Sequence, residues 1–238
     1  MMSKQIVVIG GGAAGMMAAI SAAEKGGKVT LLEPNERLGK KLNITGKGRC
    51  NVTNNTDIEG LLANIPRNGK FLYSAFNRFS SADAMAFFEG LGVPLKTERG
   101  NRVFPVSDSA FDISAALERR LKALRVQILR DRAVSLDIRD GAVCGVCTHL
   151  GGYYRADAVI VATGTYLGGR IFVGEASYAS GPGGCPSLPI FPSAAPAPPE
   201  TATAWQPRPD IPLRLYRGPW YLCRASLRRG SPASAYRA

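Results

Sequence analysis

The feature that most constrains this chain is a glycine-rich segment between two apolar stretches near its amino terminus. Ile6-Val7-Val8-Ile9 is rich in β-branched residues and predicts a strand that is buried on both faces. Gly10-Gly11-Gly12-Ala13-Ala14-Gly15 follows at once and matches the pattern G-x-G-x-x-G. Ala13 to Lys25 then predicts a helix, and Lys28 to Leu32 predicts a second strand that ends at Glu33. This order predicts a βαβ unit of the dinucleotide-binding type.

Each glycine of the motif has a physical role in such a unit. Gly10 permits the tight turn out of the strand, Gly12 lets the backbone approach a pyrophosphate, and Gly15 lets the helix pack closely on the sheet. The helix amino terminus presents N–H groups and a partial positive charge to the phosphates. Glu33 lies 18 residues after Gly15 and is expected to accept hydrogen bonds from ribose hydroxyls. Because its carboxylate would repel a 2′-phosphate, NADP is disfavoured at this site.

The same region must be distinguished from a membrane span. From Gln5 to Ala23 there is no charged residue, and this run is close to the ~20 residues that cross a bilayer. Three consecutive glycines lie in its middle, and each glycine costs a helix about 1 kcal/mol relative to alanine. A strand, a turn and a helix account for every part of the run. We therefore expect a cytoplasmic protein without a membrane segment.

Composition changes sharply along the chain. The 238 residues have a formal charge of +12 and are 45% hydrophobic, which is enough apolar content for a packed core and excludes full disorder. Five cysteines are too few for a disulfide scaffold. After Gly184 the chain contains seven arginines, no lysine and 11 of its 16 prolines. The basic body is either a mildly basic globular surface or a surface that attracts anionic ligands or nucleic acid.

A second informative segment, rich in glycine, asparagine and basic residues, follows the βαβ unit. Residues 38–54 are too rich in glycine and asparagine to predict a helix or a strand. Their lysines and Arg49 suit a loop that wraps an anion, and a solvated basic surface loop is the alternative. Cys50 is either a redox thiol, whose thiolate the neighbouring Arg49 would favour, or a small buried filler.

This loop resembles the signature of the BaiN/YhiN-like flavoproteins, also called the aminoacetone oxidase family of FAD-binding enzymes. The resemblance lies in Gly39-Lys40-Lys41-Leu42-Asn43-Ile44-Thr45-Gly46-Lys47-Gly48-Arg49-Cys50-Asn51-Val52-Thr53-Asn54. Further matches are Phe71-Leu72-Tyr73-Ser74-Ala75-Phe76, Ala86-Phe87-Phe88, Gly92-Val93-Pro94-Leu95-Lys96 and Glu98-Arg99-Gly100-Asn101-Arg102-Val103-Phe104-Pro105. Together they cover residues 4 to 164.

The resemblance implies an α/β fold, a Rossmann-type FAD-binding domain of the two-dinucleotide flavoprotein class. It implies FAD as the cofactor, with NAD(P)H as a candidate reductant, and an oxidoreductase whose substrate the sequence does not identify. The cofactor-binding residues expected from the motif and the resemblance together are Gly10, Gly11, Gly12, Ala13, Ala14, Gly15, Glu33, Lys41, Arg49, Cys50, Asn51, Val134, Ala162, Thr163 and Gly164. Val134 is placed near the adenine by family precedent, and Ala162-Thr163-Gly164 near the phosphates.

The remaining pattern as far as Gly164 predicts further α/β elements. Ser80 to Asp83 is a polar helix start before Ala84 to Leu91, and a second helix is predicted over Asp112 to Leu124. Strands are predicted over Val126–Leu129, Ala133–Ile138, Ala142–His149, Gly152–Arg155 and Ala158–Val161. The middle three are predicted to be hairpin strands, joined at Asp140-Gly141 and Gly151-Gly152.

Cys144 and Cys147 form a C-x-x-C within this predicted strand region. Zinc would need two more good ligands, and His149 is the single histidine of the chain. A redox pair usually opens a helix, whereas these cysteines fall in strands. We expect packing residues, with a redox pair or a metal ligand pair as the alternatives, and we predict no metal site.

The family pattern is lost after Gly164. Thr165 to Pro182 instead resembles MnmG (GidA), an FAD enzyme that modifies a tRNA uridine. The alternative functions are therefore an MnmG-like tRNA-modifying protein, with tRNA as partner, and a non-catalytic nucleotide-binding fragment. We predict an incomplete FAD/NAD(P)-binding domain over residues 1–184.

Residues 185–238 show neither a helical nor a strand period. We expect either an unstructured Pro/Arg-rich tail or an out-of-frame translation. Ala197 to Pro207 can be encoded by codons whose neighbouring frame gives Gly-Ser-Thr-Gly-Asp-Gly-Tyr, the loop expected from the flavoprotein family. By the resemblance, such a truncated chain would lack the segment that closes the flavin site. It is then expected to hold FAD weakly or not at all and to show little turnover.

Overall fold

The computed structural model describes residues 3–164 and the backbone of two further strands, 170–173 and 176–179. The strands are β1 (Gln5–Ile9), β2 (Lys28–Leu32), β3 (Thr53–Asn54), β4 (Leu95–Glu98), β5 (Arg102–Pro105), β6 (Gln127–Leu129), β7 (Ala133–Arg139), β8 (Ala142–Thr148), β9 (Tyr153–Arg155), β10 (Ala158–Val161), β11 (Arg170–Val173) and β12 (Ala176–Ala179). The α-helices are α1 (Ala13–Glu24), α2 (Ile58–Ala63), α3 (Tyr73–Arg78), α4 (Ser81–Gly90) and α5 (Ala110–Ala123). Two 3₁₀ segments cover Leu42–Gly48 and Gly69–Leu72.

The central element is a parallel sheet with the strand order β10-β1-β2-β6. Ile9 at the end of β1 is in register with Leu32 on one side and with Val161 on the other. Since the strands are parallel, their carboxyl ends meet at one edge of the sheet, where ligands of open α/β folds bind. The predicted strand-turn-helix-strand unit is confirmed, and so is the predicted strand Ala158–Val161.

Both faces of β1 are buried, as its continuous apolar run predicts. Val8 packs with Met16 and Ile20 of α1 and with Leu117 of α5 on one face of the sheet. Val7 and Ile9 pack on the other face, where Val146 of β8 joins them. The helices therefore cover one face of the parallel sheet, and the antiparallel sheet β7-β8-β9 covers the other.

The turn between β1 and α1 depends on two glycines. Gly10 has φ +106°, in the left-handed region that favours glycine, and a Cβ there would overlap the carbonyl oxygen of Ala162. A Cβ on Gly15 would overlap the carbonyl oxygen of Gly10 and would lie 3.4 Å from the Cβ of Ala162. Helix α1 thus packs directly on the ends of β1 and β10, which is the role predicted for Gly15.

Two antiparallel sheets complete the described structure of residues 3–164. Sheet β7-β8-β9 confirms the predicted hairpin strands, and Asp140 and Gly141 both have positive φ at the β7–β8 turn. Cys144 and Cys147 lie in β8 with free thiols. In the described part of the chain, no three His, Cys, Asp or Glu side chains are grouped so that they could hold a metal ion.

Several boundaries differ from the prediction. Helix α4 begins at Ser81, within the predicted polar start from Ser80 to Asp83, where Ser80 and Asp83 form a capping box, and it ends at Gly90 rather than at Leu91. Residues 38–54 were predicted to lack regular structure, and this is partly wrong. The segment Leu42–Gly48 forms 3₁₀ turns interrupted at Thr45, Gly46 and Lys47, and Thr53–Asn54 pairs with β5 as strand β3. Such short elements are stabilised by contacts with distant residues, so the local spacing of apolar residues does not predict them.

The predicted unstructured tail at 185–238 lies outside the described residues, and of the MnmG-like stretch from Thr165 to Pro182 only the backbone of β11 and β12 is described. Among the helices that the structure describes, none is both long enough and apolar enough to cross a membrane.

The contact at Gly15 gives a stability prediction. Gly15→Ala should lower the free energy of unfolding by about 1–3 kcal/mol, because the new methyl group meets a fixed backbone carbonyl. Gly12→Ala is the matched control, since its Cβ would have no atom within 4 Å and only helix capping changes. It should cost less than about 1 kcal/mol in urea unfolding. Equal losses in the two variants would contradict the close packing of α1.

Candidate functional site

The carboxylate of Glu33 lies against the glycine turn. Glu33 follows β2 and is 8% exposed. The backbone N–H of Gly11 donates to Glu33 Oε2 at 2.6 Å, and Asn35 donates to Oε1 from its backbone N–H at 2.9 Å and from its side-chain amide at 2.6 Å. These bonds fix the carboxylate at the carboxyl end of β2, beside the start of α1.

Helix α1 begins at this turn without a side-chain cap. Gly12 is the N-cap residue and accepts the backbone hydrogen bond from Met16, and the first helical turn contains no acidic residue. Ala13 and Ala14 are exposed. The first N–H groups of a helix have no partner within the helix, so they are directed toward the space in front of the turn. A Cβ on Gly12 would meet no atom within 4 Å, which leaves that space open.

The chain after β10 returns to the same turn. The Ala162 carbonyl and the Thr163 Cα lie next to Gly10, and the Ala162 N–H donates to the Ile9 carbonyl at 2.8 Å. Gly164 has φ +90°, and a Cβ there would lie 3.6 Å from Lys41 Nζ. Lys41 therefore directs a positive charge to the edge of the sheet that the glycine turn and Glu33 occupy.

The loop after β2 is tied to the turn by residues that the sequence analysis did not assign to the site. The Gly39 N–H donates to the Gly11 carbonyl at 2.8 Å, and Leu38 covers Gly11. Gly39 has φ +67°, in the left-handed region, and the glycine at this position could have indicated that conformation from the sequence. Asn35 gave no comparable signal, because its role depends on contact with Glu33.

A cleft of about 560 Å³ opens beside Glu33, between the loop after β2, helix α5 and the end of β6. Its lining mixes polar and apolar side chains, and the polar ones include Glu33, Asn43, Ser114 and Arg130. The side-chain oxygen of Asn43 is buried and has no hydrogen-bond partner among the residues that the structure describes. A buried acceptor without a partner costs free energy, so a ligand that donates a hydrogen bond in the cleft would be stabilising.

Arg49 was predicted to bind the cofactor, and the structure shows it in contact with two carboxylates. It forms ion pairs with Glu98 and with Asp108, and its guanidinium lies 4.2 Å from the centroid of the Phe104 ring. Lys96 joins the same group through Asp108 at 2.7 Å. We call Arg49, Lys96, Glu98 and Asp108 the Arg49 ion cluster. It fastens the end of the 39–51 loop to the β4–β5 hairpin, and both carboxylates already compensate the charge of Arg49.

Cys50 and Asn51 follow Arg49 in the chain and differ in burial. Cys50 is buried at 5% exposure, and burial raises the pKa of its thiol. This direction opposes the thiolate that a redox role requires and favours the filler alternative. Asn51 is exposed, and in the amide orientation that satisfies both groups its nitrogen donates to the carbonyls of Thr53 and Val103.

Val134 lies at a β-bulge in sheet β7-β8-β9. Ala133 pairs with Thr148 and Ser135 with Cys147, so Val134 is the extra residue between them. A bulge leaves the backbone of the extra residue outside the ladder of hydrogen bonds. Thus the glycine turn, Glu33, Lys41 and residues 162–164 form one group. Arg49 and Asn51 are tied instead to the three-stranded antiparallel sheet β3-β5-β4, Cys50 packs in the main core, and Val134 belongs to a third element.

The Arg49 ion cluster predicts a dependence of stability on pH. Arg49 holds the pKa of Glu98 below its usual value, and Lys96 and Arg49 do the same for Asp108. A carboxylate with a lowered pKa stabilises the fold above its unfolded pKa of about 4, and this stabilisation is lost as pH falls through the lowered value. Asp108→Asn should therefore lose less stability than the unmodified chain on acidification from neutral pH to below about 4.

Urea unfolding midpoints at each pH measure this effect, and Asp140→Asn is the control because Asp140 forms no ion pair within the described residues. The difference should shrink in about 1 M salt, because these side chains are partly exposed. Identical acid profiles for Asp108→Asn and the unmodified chain would show that the cluster does not fasten the loop.

Comparison with known proteins agrees with the geometry. Residues 4–170 match the family described as the HI0933-like protein Rossmann domain. The 3-dehydro-bile acid delta(4,6)-reductase of Clostridium scindens is 34% identical over 167 residues, which cover 67% of this chain and 39% of that protein. The tRNA uridine 5-carboxymethylaminomethyl modification enzyme MnmG of Exiguobacterium sibiricum is 31% identical over 181 residues, which cover 74% of this chain and 26% of that enzyme.

Two solved structures share the fold at lower identity. GidA of Aquifex aeolicus has a TM-score of 0.53 at 23% identity, over 79% of this chain and 29% of GidA. The 3-ketosteroid-delta4-(5alpha)-dehydrogenase of Rhodococcus jostii has a TM-score of 0.55 at 19% identity, over 69% of this chain and 46% of that enzyme.

The chain thus spans about two fifths or less of the curated relatives described here. Its fold is that of an α/β Rossmann-type FAD-binding domain, with the parallel sheet and the glycine turn in the expected order. The match over residues 4–170 shows that the chain belongs to the HI0933-like Rossmann-domain family.

Proposed function

We propose that this chain binds FAD at the glycine turn and serves as the cofactor-binding part of a BaiN/YhiN-like flavin-dependent oxidoreductase. The observation that supports this most directly is the hydrogen bond from the Gly11 N–H to Glu33 Oε2. It joins the two groups that an adenine dinucleotide needs close together, a phosphate-binding turn and a ribose-binding carboxylate.

The residues present fit the diphosphate of FAD. The uncapped start of α1 offers backbone N–H groups and a partial positive charge to an anion. The open space at Gly12 lets that anion approach the backbone. Lys41, beside Gly164, adds a positive charge at the same edge and would favour the bound diphosphate.

Glu33 retains capacity for a ribose hydroxyl. An ionised carboxylate offers about four acceptor positions, and three hydrogen bonds to Gly11 and Asn35 use three of them. The remaining position lies on Oε2, which accepts only the Gly11 N–H within the described structure. We infer that a ribose hydroxyl donates there, and that a 2′-phosphate is repelled by the same charge.

The other expected site residues are proposed to shape the site rather than to bind the diphosphate or ribose directly. Gly10 and Gly15 shape the turn, and Ala162, Thr163 and Gly164 bound the phosphate space. The bulge at Val134 offers backbone groups for the adenine. Arg49, Cys50 and Asn51 are proposed to shape the loop near the flavin, since the Arg49 side chain already has two carboxylate partners.

When bound, the flavin supplies electron and hydride transfer, and the protein binds and orients it. We propose residues 1–184 as the cofactor domain, with NAD(P)H as the electron donor. Because the chain spans 39% of the Clostridium scindens reductase, its substrate and turnover belong to this proposal.

FAD binding to the 238-residue chain tests the proposal. Titration followed by flavin fluorescence and by absorbance near 450 nm should show saturable binding that ADP competes for. Glu33→Gln should weaken it about tenfold, because the charge-assisted bond to the ribose is lost. Glu89→Gln removes an exposed carboxylate on α4 and should change nothing. The absence of saturable binding, or equal affinities in the two variants, would contradict the proposal.

A second candidate is an FAD-dependent tRNA-modifying protein. It is favoured by the 31% identity to the Exiguobacterium sibiricum MnmG over 181 residues. This candidate predicts that the chain retards unmodified tRNA in a native gel, with an affinity that falls steeply as salt rises. Unaltered tRNA mobility at low salt would argue against it.

A further inference from the structure

Residues 57–79 form a short helical insertion between β3 and α4, and it contains no buried residue. It contains α2, the 3₁₀ turn Gly69–Leu72 and α3, and these pack mainly against one another. None of these 23 residues is buried, although the structure describes them all. We call residues 57–79 the aromatic–basic segment.

The large apolar side chains of this segment that are exposed are all aromatic. Phe71 is 79% exposed, Tyr73 is 53% exposed and Phe79 is 43% exposed. Its leucines and isoleucines are only partly exposed, and Ile65 lies close to Gly69 within the segment. The flat rings are thus presented to solvent while the aliphatic groups pack inward, which differs from a general apolar surface.

The charge of the segment has one sign over most of its length. Between Glu59 and Asp83 there is no acidic residue, whereas Arg67, Lys70 and Arg78 contribute three positive charges. All three bases are exposed, and none forms an ion pair within the described part of the chain. The stretch from Arg67 to Arg78 therefore presents only positive charge, which favours an anionic partner over a second copy of the same stretch.

We propose that the aromatic–basic segment binds unpaired nucleotides of a nucleic acid strand. Bases stack on exposed aromatic rings regardless of their identity, and phosphates pair with lysine and arginine beside them. Phe71 and Tyr73 supply the rings, and Arg67, Lys70 and Arg78 supply the phosphate contacts. An anionic membrane would also accept aromatic and basic residues, but amphipathic membrane helices present a long continuous face, whereas α2 and α3 have six residues each. This proposal is independent of FAD binding.

The test is fluorescence anisotropy with labelled oligouridylate and oligothymidylate of about twelve nucleotides, at low salt. Phe71→Ala and Lys70→Ala should each weaken binding about fivefold or more, and Lys70→Ala should also reduce the salt slope by about 0.7. Leu150→Ala and Lys25→Ala are the matched controls, because both positions are exposed and lie outside the segment. The seven arginines after residue 184 add the same background binding to every variant.

Because the Phe71 side chain is 79% exposed, its truncation should leave the fold intact, which circular dichroism checks. A preference for oligouridylate would assign RNA, and equal binding would assign single strands of either kind. Four results would overturn the proposal. They are no saturable binding, equal losses in the controls, a Phe71-dependent attachment to phosphatidylserine vesicles without an effect on oligonucleotides, and a Phe71-dependent change of oligomeric state.

Discussion

The structure depends on the close approach of three backbone segments at the glycine turn. Gly15 brings α1 against the Gly10 carbonyl, and Gly10 in turn lies against the Ala162 carbonyl at the end of β10. No side chain fits between these segments. The contact therefore sets the position of the α1 amino terminus, of the chain after β10 and, through the Gly11 N–H, of the Glu33 carboxylate. The proposed diphosphate and ribose contacts follow from this one arrangement.

The elements that the sequence predicted well are those with a strong local pattern. The β-branched runs of β1 and β10, the helical period of α5 and the Asp140-Gly141 turn each specify their conformation within a few residues. The hairpin β4–β5 and helices α2 and α3 had no such pattern. Strand β3 has two residues and exists because β5 pairs with it. The aliphatic residues of α2 and α3 pack within a short insertion rather than on the main core. These two short helices therefore lack the long apolar stripe at helical spacing that would have predicted them.

The candidate site shows the same division. Glu33 could be placed beside the turn from sequence, since the end of a second parallel strand must lie next to the end of the first. The partners of Arg49 could not, because Glu98 and Asp108 are 49 and 59 residues away in the chain. A basic residue in a glycine-rich loop suggests an anion ligand, and only the fold shows that two carboxylates of the same chain neutralise it. Cys50 is a similar case, because its burial and raised pKa arise from distant apolar neighbours.

The most direct test of the account is the response of backbone amides to an adenine dinucleotide. In the chain labelled with ¹⁵N-glycine, titration with FAD or ADP should shift the Gly11, Gly12 and Gly15 resonances first, because these glycines form the turn at the proposed diphosphate and ribose contacts. The glycines at 90, 92 and 100, in other parts of the fold, should stay unchanged. Shifts confined to those other glycines, or none at the turn under saturating ligand, would contradict the central claim.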